Sequence, residues 1–547
     1  MVAGEPGAAR AREPREAPAD LARPARPARV VVGMLGRPQL VVRAVLSAGL
    51  VATVYATAYP PFYDYYDWLF QGHVVSVLLF GTDQGTADIG GQYVLAAVPV
   101  PNLAAPVAIG ALNTVLPIEA AGQLFLAVTV LGFALAHGHL VRTIQGRPTA
   151  VELAGFLWAG GFYLYKGYLS YLFALAVAFV LVAALHRALA RAGGPTRGQL
   201  WSLCGLVTLA YASHLLAYGI GVLAVLVHAF VLTRRGLHRK AGYLVATVLP
   251  GAGLAAWYVV VEHGGTGVTL YDSWLDKAIS LTETVQWFLR LDPFPPSFPI
   301  FWVNLVLGLA VVLALACWVD LRAVPAALAT RPVLWLAAGL AALALLLPIS
   351  MLDELIKPDE RFVLPALLLA AAALPYRRRA SAPPARALAA GLVAVVLGLH
   401  AVEYADVGRR IARVDAATDA TIPAGAPLLH LTVPSRYGCA PATGVTVGVP
   451  VLKWFGVDHA LETGQARINL DETSLVHTRA PGPPSLDVLA PAVADVPASV
   501  LPVAPLYPYL QVVACPADLD RVGAGLASTY RPVAGGPGYV IYQRGVL

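Results

Sequence analysis

Blocks of about 18–22 apolar residues recur along this chain, divided by short polar stretches. They lie near 39–59, 120–141, 150–165, 168–187, 199–214, 216–233, 241–261, 301–319, 332–350, 361–376 and 385–404. A helix needs about 20 residues to cross the hydrocarbon of a bilayer, so the pattern predicts a mainly α-helical bundle of about eleven spans. The central parts of these blocks contain no Asp, Glu, Lys or Arg. Beyond Tyr404 the hydropathy falls. Leu428–Val433 and Leu510–Cys515 read as strands, Trp454–Glu462 as a short helix, and Ala517–Ser528 as a helix that Pro516 begins. Tyr530–Val533 and Tyr539–Arg544 flank Gly535-Gly536-Pro537-Gly538, which predicts a hairpin. Residues 405–547 are therefore expected to form a small extracytoplasmic α/β domain.

Charge orients the bundle. Alternate connections are basic: Arg142 and Arg147; Arg187, Arg191 and Arg197; Arg234, Arg235, Arg239 and Lys240; Arg322 and Arg331; Arg377, Arg378, Arg379 and Arg386. The positive-inside rule makes these cytoplasmic, with the amino terminus inside and the carboxyl terminus outside. Residues 1–37, rich in Ala, Arg, Pro and Glu, bury too little apolar surface to order and are expected to be a disordered cytoplasmic tail. The run Leu40–Ala58 ends in Ala56-Thr57-Ala58, as a signal-peptidase site would, but it exceeds a usual signal core and reads as an uncleaved anchor. The transmembrane domain then covers 38–404. Long outer loops fall at 60–119 and 262–300, and a short charged one at 351–360. Asp64–Phe80 and Asn102–Leu116 within the first loop look like helices on the membrane surface.

Composition supports this class. Of 547 residues, 58% are hydrophobic and 13% charged, with mean hydropathy +0.67; ordinary soluble proteins carry roughly 25% charged residues. The net charge of +6 is an orientation signal rather than a nucleic-acid footprint, because its arginines sit between apolar blocks. Cys204 and Cys317 fall within blocks as packing residues. Cys439 and Cys515 are the pair expected to form a disulfide in an oxidising exterior, with two free thiols as the alternative.

The strongest local candidate for chemistry is Pro60-Pro61-Phe62-Tyr63-Asp64-Tyr65-Tyr66-Asp67-Trp68. On a helix Asp64 and Asp67 share a face about 5–6 Å apart, where they can hold a divalent cation such as Mg or Mn, or one can serve as a base. The alternative is a helix N-cap followed by a solvated acid. Trp68 can stack on a sugar or lipid head. Lys357-Pro358-Asp359-Glu360-Arg361-Phe362 is the second candidate: Arg361 can fork onto a phosphate, pair with a neighbouring acid, or snorkel to headgroups. His214 ends a block on the outer side, either as an interfacial hydrogen-bonding residue or as part of a site. Gly81–Gly91 lacks the lysine of a Walker loop.

This layout resembles the GT-C class of polyprenyl-phosphate-sugar-dependent membrane glycosyltransferases over residues 40–404. The resemblance is carried by Asp64 and Asp67 after the first span, the Asn102–Leu116 segment, Gly161-Phe162-Tyr163-Leu164-Tyr165-Lys166-Gly167-Tyr168 at an outer surface, and Arg361 leading a late span. It implies that Asp64 or Asp67 acts as base or metal ligand. It further implies that Arg361, with Lys357 or Arg290, stabilises a leaving lipid phosphate, and that an envelope glycan, lipid or protein is the acceptor at the outer face of a bacterial inner membrane. Here two tyrosines separate the acids, whereas many members have them adjacent. The rival classes are a secondary transporter, which would place ionisable residues or broken helices at the membrane midplane, and a non-catalytic scaffold displaying residues 405–547.

Overall fold

The computed structural model describes residues 37–547 apart from 63, 83–90, 92, 263–266, 287–299, 352–356, 424–425, 427, 433–475, 479–495, 503, 515 and 546–547. Arg290, Cys439, Cys515 and the helix expected over Trp454–Glu462 lie outside the described residues. The chain divides into two units, 1–45 and 46–547. In the first, the described residues are the opening turns of helix α1 (Arg37–Val54).

The second unit is mainly helical. After α1 come α2 (Tyr65–Phe80), strand β1 (Tyr93–Leu95), α3 (Ala104–Asn113), α4 (Ile118–Gln145), the short α5 (Ala154–Ala159) and α6 (Phe162–Tyr165), and α7 (Leu169–Leu189). Then follow α8 (Arg197–Ser213), α9 (Leu215–Arg234), α10 (His238–Ala246), α11 (Leu249–Glu262), β2 (Val268–Thr269), α12 (Trp274–Gln286) and α13 (Ile300–Trp318). Next are α14 (Val324–Thr330), α15 (Pro332–Leu346), β3 (Ser350–Met351), α16 (Pro358–Ala373) and the long α17 (Pro383–Thr421). The chain closes with β4 (Leu428–Thr432), β5 (Val476–Thr478), α18 (Val496–Val500), β6 (Tyr509–Val513), α19 (Pro516–Leu526), β7 (Tyr530–Gly536) and β8 (Tyr539–Arg544).

Among the described residues four helices are long and apolar enough to cross a membrane: α4, α7, α9 and α17. Counting each bent pair as one span gives six, the pairs being α10 with α11, bent by 40°, and Leu321–Thr330 with α15, bent by 94°. The eleven expected spans are thus not all single crossing helices. The block at 150–165 breaks into a 3-10 turn (Ala150–Leu153), α5 and α6, because Gly160-Gly161 interrupts it. The last block, expected over 385–404, continues to Thr421 without a break.

The longest inner helix shows why these residues form helices. Pro117 precedes α4, Glu119 sits in its first turn and Arg142 in its last, each complementing the helix dipole. Gly146, at φ +66, ends it. Close packing then encloses α2. A Cβ at Gly110 of α3 would lie 2.9 Å from the Gly72 carbonyl oxygen, so only glycine lets these two helices meet. Every residue from Leu69 to Ser76 is buried as a result. That makes α2 an internal helix, unlike the surface helix expected.

The two ends of the bundle differ in charge. At one end Arg147 donates to the Tyr376 carbonyl (2.7 Å), and Arg331 to those of Ala373 (2.6 Å) and Leu374 (3.2 Å). Arg235 donates to the Leu189 carbonyl there (2.6 Å), and Arg142 pairs with the buried Glu152. The basic connections are gathered by these bonds to carbonyls at or just beyond helix ends and by the Arg142–Glu152 pair. At the opposite end lie the 160–168 segment, the break at His214 and the start of α16.

A four-stranded sheet in the order β4-β6-β8-β7 closes the chain, with β4 parallel to β6 and the other pairs antiparallel. The expected hairpin is present, turning at Pro537-Gly538 with Gly538 at φ +90. Buried Gln511 of β6 donates to Thr418 of α17 (2.7 Å). Strand β5 pairs antiparallel with β1, far earlier in the chain.

Candidate functional site

Asp64 stands at the junction between the Pro60-Pro61 corner and α2. Phe62 anchors that corner by meeting Tyr404 of α17 edge-on, with ring centroids 5.0 Å apart. The Asp64 side chain makes no capping bond to α2, so the N-cap role that its position allows is not the one it takes. The chain after α6 lies against it. Gly167 adopts φ +73, and a Cβ there would sit 2.2 Å from the Asp64 nitrogen. The Trp68 indole N–H donates to the Gly167 carbonyl at 2.9 Å, fastening α2 to the same loop.

Tyr168, the next residue, is the hub. Its hydroxyl donates to Glu360 Oε2 at 2.9 Å, and the Arg361 guanidinium lies over its ring, 5.0 Å from the centroid. Lys357 Nζ donates to Glu360 Oε1 at 3.2 Å. Glu360 is therefore held by Tyr168 and Lys357, while Arg361 takes a cation–π position. Tyr171, one turn into α7, donates its hydroxyl to the Arg361 carbonyl and meets the His214 imidazole edge-on at 4.8 Å. Burial and the Glu360 charge raise the Tyr168 phenol well above its ordinary value; Asp64 pushes the same way and Arg361 opposes them. This chain of contacts gathers Asp64, Trp68, Lys357, Arg361 and His214 from three distant stretches of sequence around Tyr168 and Tyr171. Asp67 lies one turn further along α2 and is partly exposed.

A second layer supports the cluster. Asp359, fully buried, accepts from the Tyr271 hydroxyl, whose ring carries the Lys277 ammonium 4.8 Å from its centroid. Lys277 also donates to the Leu347 carbonyl (2.7 Å). Beneath the 160–168 segment, Tyr404 donates to the Gly160 carbonyl (2.6 Å) and stacks on His400, which pairs with Glu403 at 3.2 Å in a buried contact. Sequence reading gave Tyr168 no role of its own within the 161–168 segment, and missed Tyr171 and this His400–Glu403 pair. The spacing of Tyr168 and Tyr171, three apart at a helix start, was the available signal for the two tyrosines.

No group of three or more His, Cys, Asp and Glu side chains comes together to hold a metal ion among the described residues. A divalent cation would find two carboxylates at most in Asp64 and Asp67. Cys204 and Cys317 are free thiols.

His214 carries a pH prediction. Its Nδ1 accepts from the Leu216 N–H at 3.1 Å, and burial, then the Arg361 charge, hold its pKa well below the ordinary 6.5. The folded state thus binds fewer protons at this site than the unfolded state. Its contribution to stability is complete above pH 6.5 and declines as the pH falls below it, by at most about 1.4 kcal/mol per pH unit. Thermal unfolding of the detergent-solubilised protein between pH 5 and 8 should show this decline, and His214→Gln should lessen it. An unchanged profile in the variant would remove His214 as its source.

The fold and this cluster define a mainly helical protein, with four to six candidate membrane-crossing helices among the described residues, compatible with a multi-pass membrane protein, and a small C-terminal sheet. No protein-family model matches the chain, and no curated protein matches it.

Proposed function

We propose that this chain is a GT-C-type membrane glycosyltransferase that moves a sugar from a polyprenyl-phosphate donor to an envelope acceptor at the outer face of the inner membrane. The observation that carries the reading is the placing of Asp64 and Arg361 about Tyr168, an acid and a cation nearly three hundred positions apart in the sequence. Gathering of the basic connections at the other end supports an outward-facing site, by the positive-inside rule.

In this reading Asp64 takes the proton of the acceptor hydroxyl. The hydroxyl oxygen attacks the anomeric carbon, and the bond from that carbon to the phosphate oxygen breaks. The lipid phosphate leaves with the bonding pair, its charge stabilised by Arg361 and Lys357. Trp68 fixes the loop that positions the acid.

The test is reconstitution of the purified chain with polyprenyl-phosphate sugars, together with a comparison of envelope glycans between a deletion strain and its parent. Donor-dependent transfer and loss of one glycan in the deletion are expected. The buried His400–Glu403 pair in α17 favours a second reading, a secondary transporter, because ionisable pairs within crossing helices mark ion paths. Solute flux in vesicles without a lipid-sugar donor would replace the first reading by the second.

A further inference from the structure

From Ala154 to Val261 the sequence contains no Asp or Glu, yet its arginines crowd one end of the bundle. Arg187, Arg191, Arg197, Arg234, Arg235 and Arg239 are all exposed. They lie in or beside the connection between α7 and α8 and the turn between α9 and α10, most of them in the adjoining helix ends. Two bonds join these into one surface: Arg235 to the Leu189 carbonyl (2.6 Å) and Lys240 to the Pro195 carbonyl (3.0 Å). Glu152, the nearest preceding acid in sequence, is occupied by Arg142. The like charges therefore stand together on this face with no acid from their own segments to offset them.

Apolar side chains border the same face. Trp201 is 74% exposed, Phe230 58% and Tyr243 52%, and the Arg234 guanidinium lies over the Phe230 ring at 5.9 Å. Aromatic rings beside guanidinium groups at the ends of membrane-crossing helices match the headgroup–acyl boundary of a bilayer, with rings at the boundary and charges among the phosphates. Nucleic acid would use the charges but leave Trp201 and Tyr243 in water. The 40° bend between α10 and α11 lets α10, with His238, Arg239 and Lys240 in its first turn, leave the line of the crossing helix.

We propose that this face binds the headgroups of anionic phospholipids. The inference is independent of the transferase reading, since the surface lies at the end of the bundle away from Asp64 and Arg361.

The test uses the full chain purified in neutral detergent, exposed to phosphatidylglycerol or phosphatidylcholine, with retained lipid counted by native mass spectrometry. Each basic residue near an anionic surface changes partition about fivefold. Retention of phosphatidylglycerol should exceed that of phosphatidylcholine by at least about tenfold, and the preference should shrink between about 50 and about 500 mM salt. Combined Arg191→Gln, Arg197→Gln, Arg234→Gln and Arg239→Gln, which leaves the carbonyl bonds of Arg235 and Lys240 in place, should abolish the preference. Equal retention of the two lipids by the unaltered chain overturns the proposal, as does a folded variant that keeps the preference. If the variant does not fold, the lipid preference and salt response of the unaltered chain decide alone. Displacement of phosphatidylglycerol by micromolar inorganic phosphate or by an oligonucleotide would also overturn it, in favour of a soluble anion or a nucleic acid.

Discussion

Asp64→Asn is expected to lower sugar transfer by about 10²–10⁴-fold, the usual contribution of a positioned base. Asparagine keeps the size of the side chain and its backbone contact with Gly167 but cannot take a proton. The fall should therefore appear in kcat, with donor affinity and thermal stability close to those of the parent. Asp67→Asn should cost less than about tenfold, because Asp64 is the residue whose backbone packs against Gly167 and whose charge acts on Tyr168. Single-turnover assays with a polyprenyl-phosphate sugar would separate the two. Equal activity of Asp64→Asn and the parent, in a chain that transfers sugar, would remove Asp64 as the base; the opposite ranking of the two variants would give that role to Asp67.

Gly167→Ala is the second large effect, and it tests the architecture rather than the chemistry. The backbone at φ +73 disfavours any side chain, and the new Cβ would meet the Asp64 nitrogen at 2.2 Å and its Cα at 2.8 Å. Neither neighbour is a flexible tip, so the loop or the start of α2 must shift. A loss of at least about 2 kcal/mol follows from backbone strain together with displacement of the loop. Gly236→Ala is the control: φ is similar at +75, but nothing lies within 4 Å of the added carbon, so about 1 kcal/mol is expected. Paired thermal-unfolding curves in one detergent would compare them. If Gly167→Ala is no more destabilised than Gly236→Ala, Asp64 does not rest on Gly167.

Much of the fold was legible because hydropathy and turn chemistry act locally. The C-terminal strands, the helix begun by Pro516 and the hairpin through Pro537-Gly538 fall within a residue or three of their expected bounds. Length alone misled at 150–165, where all residues but Glu152 are apolar or small yet Gly160-Gly161 breaks the helix. Arg361 was recognisable from its place beside a block of apolar residues, but its position over the Tyr168 ring was not. That contact depends on two helices meeting across about two hundred positions, which no local pattern encodes. The His400–Glu403 pair was hidden for a related reason: its cost in an apolar helix is offset in part by mutual contact across one helical turn, which a hydropathy pattern does not show.

The ties between the beginning and end of the second unit also set an order of events during synthesis. Tyr59 donates to Asp415 across 356 residues, and β1 waits for β5, which emerges later still. At about 5–20 residues per second, the Asp64 corner leaves the ribosome roughly 20–70 s before the partner of Tyr59 exists. Over that interval the corner must be held by the bilayer, by α2 and α3, or by a chaperone. A nascent chain arrested before residue 415 should therefore carry a protease-sensitive Asp64 corner that becomes resistant once the remainder of α17 is released.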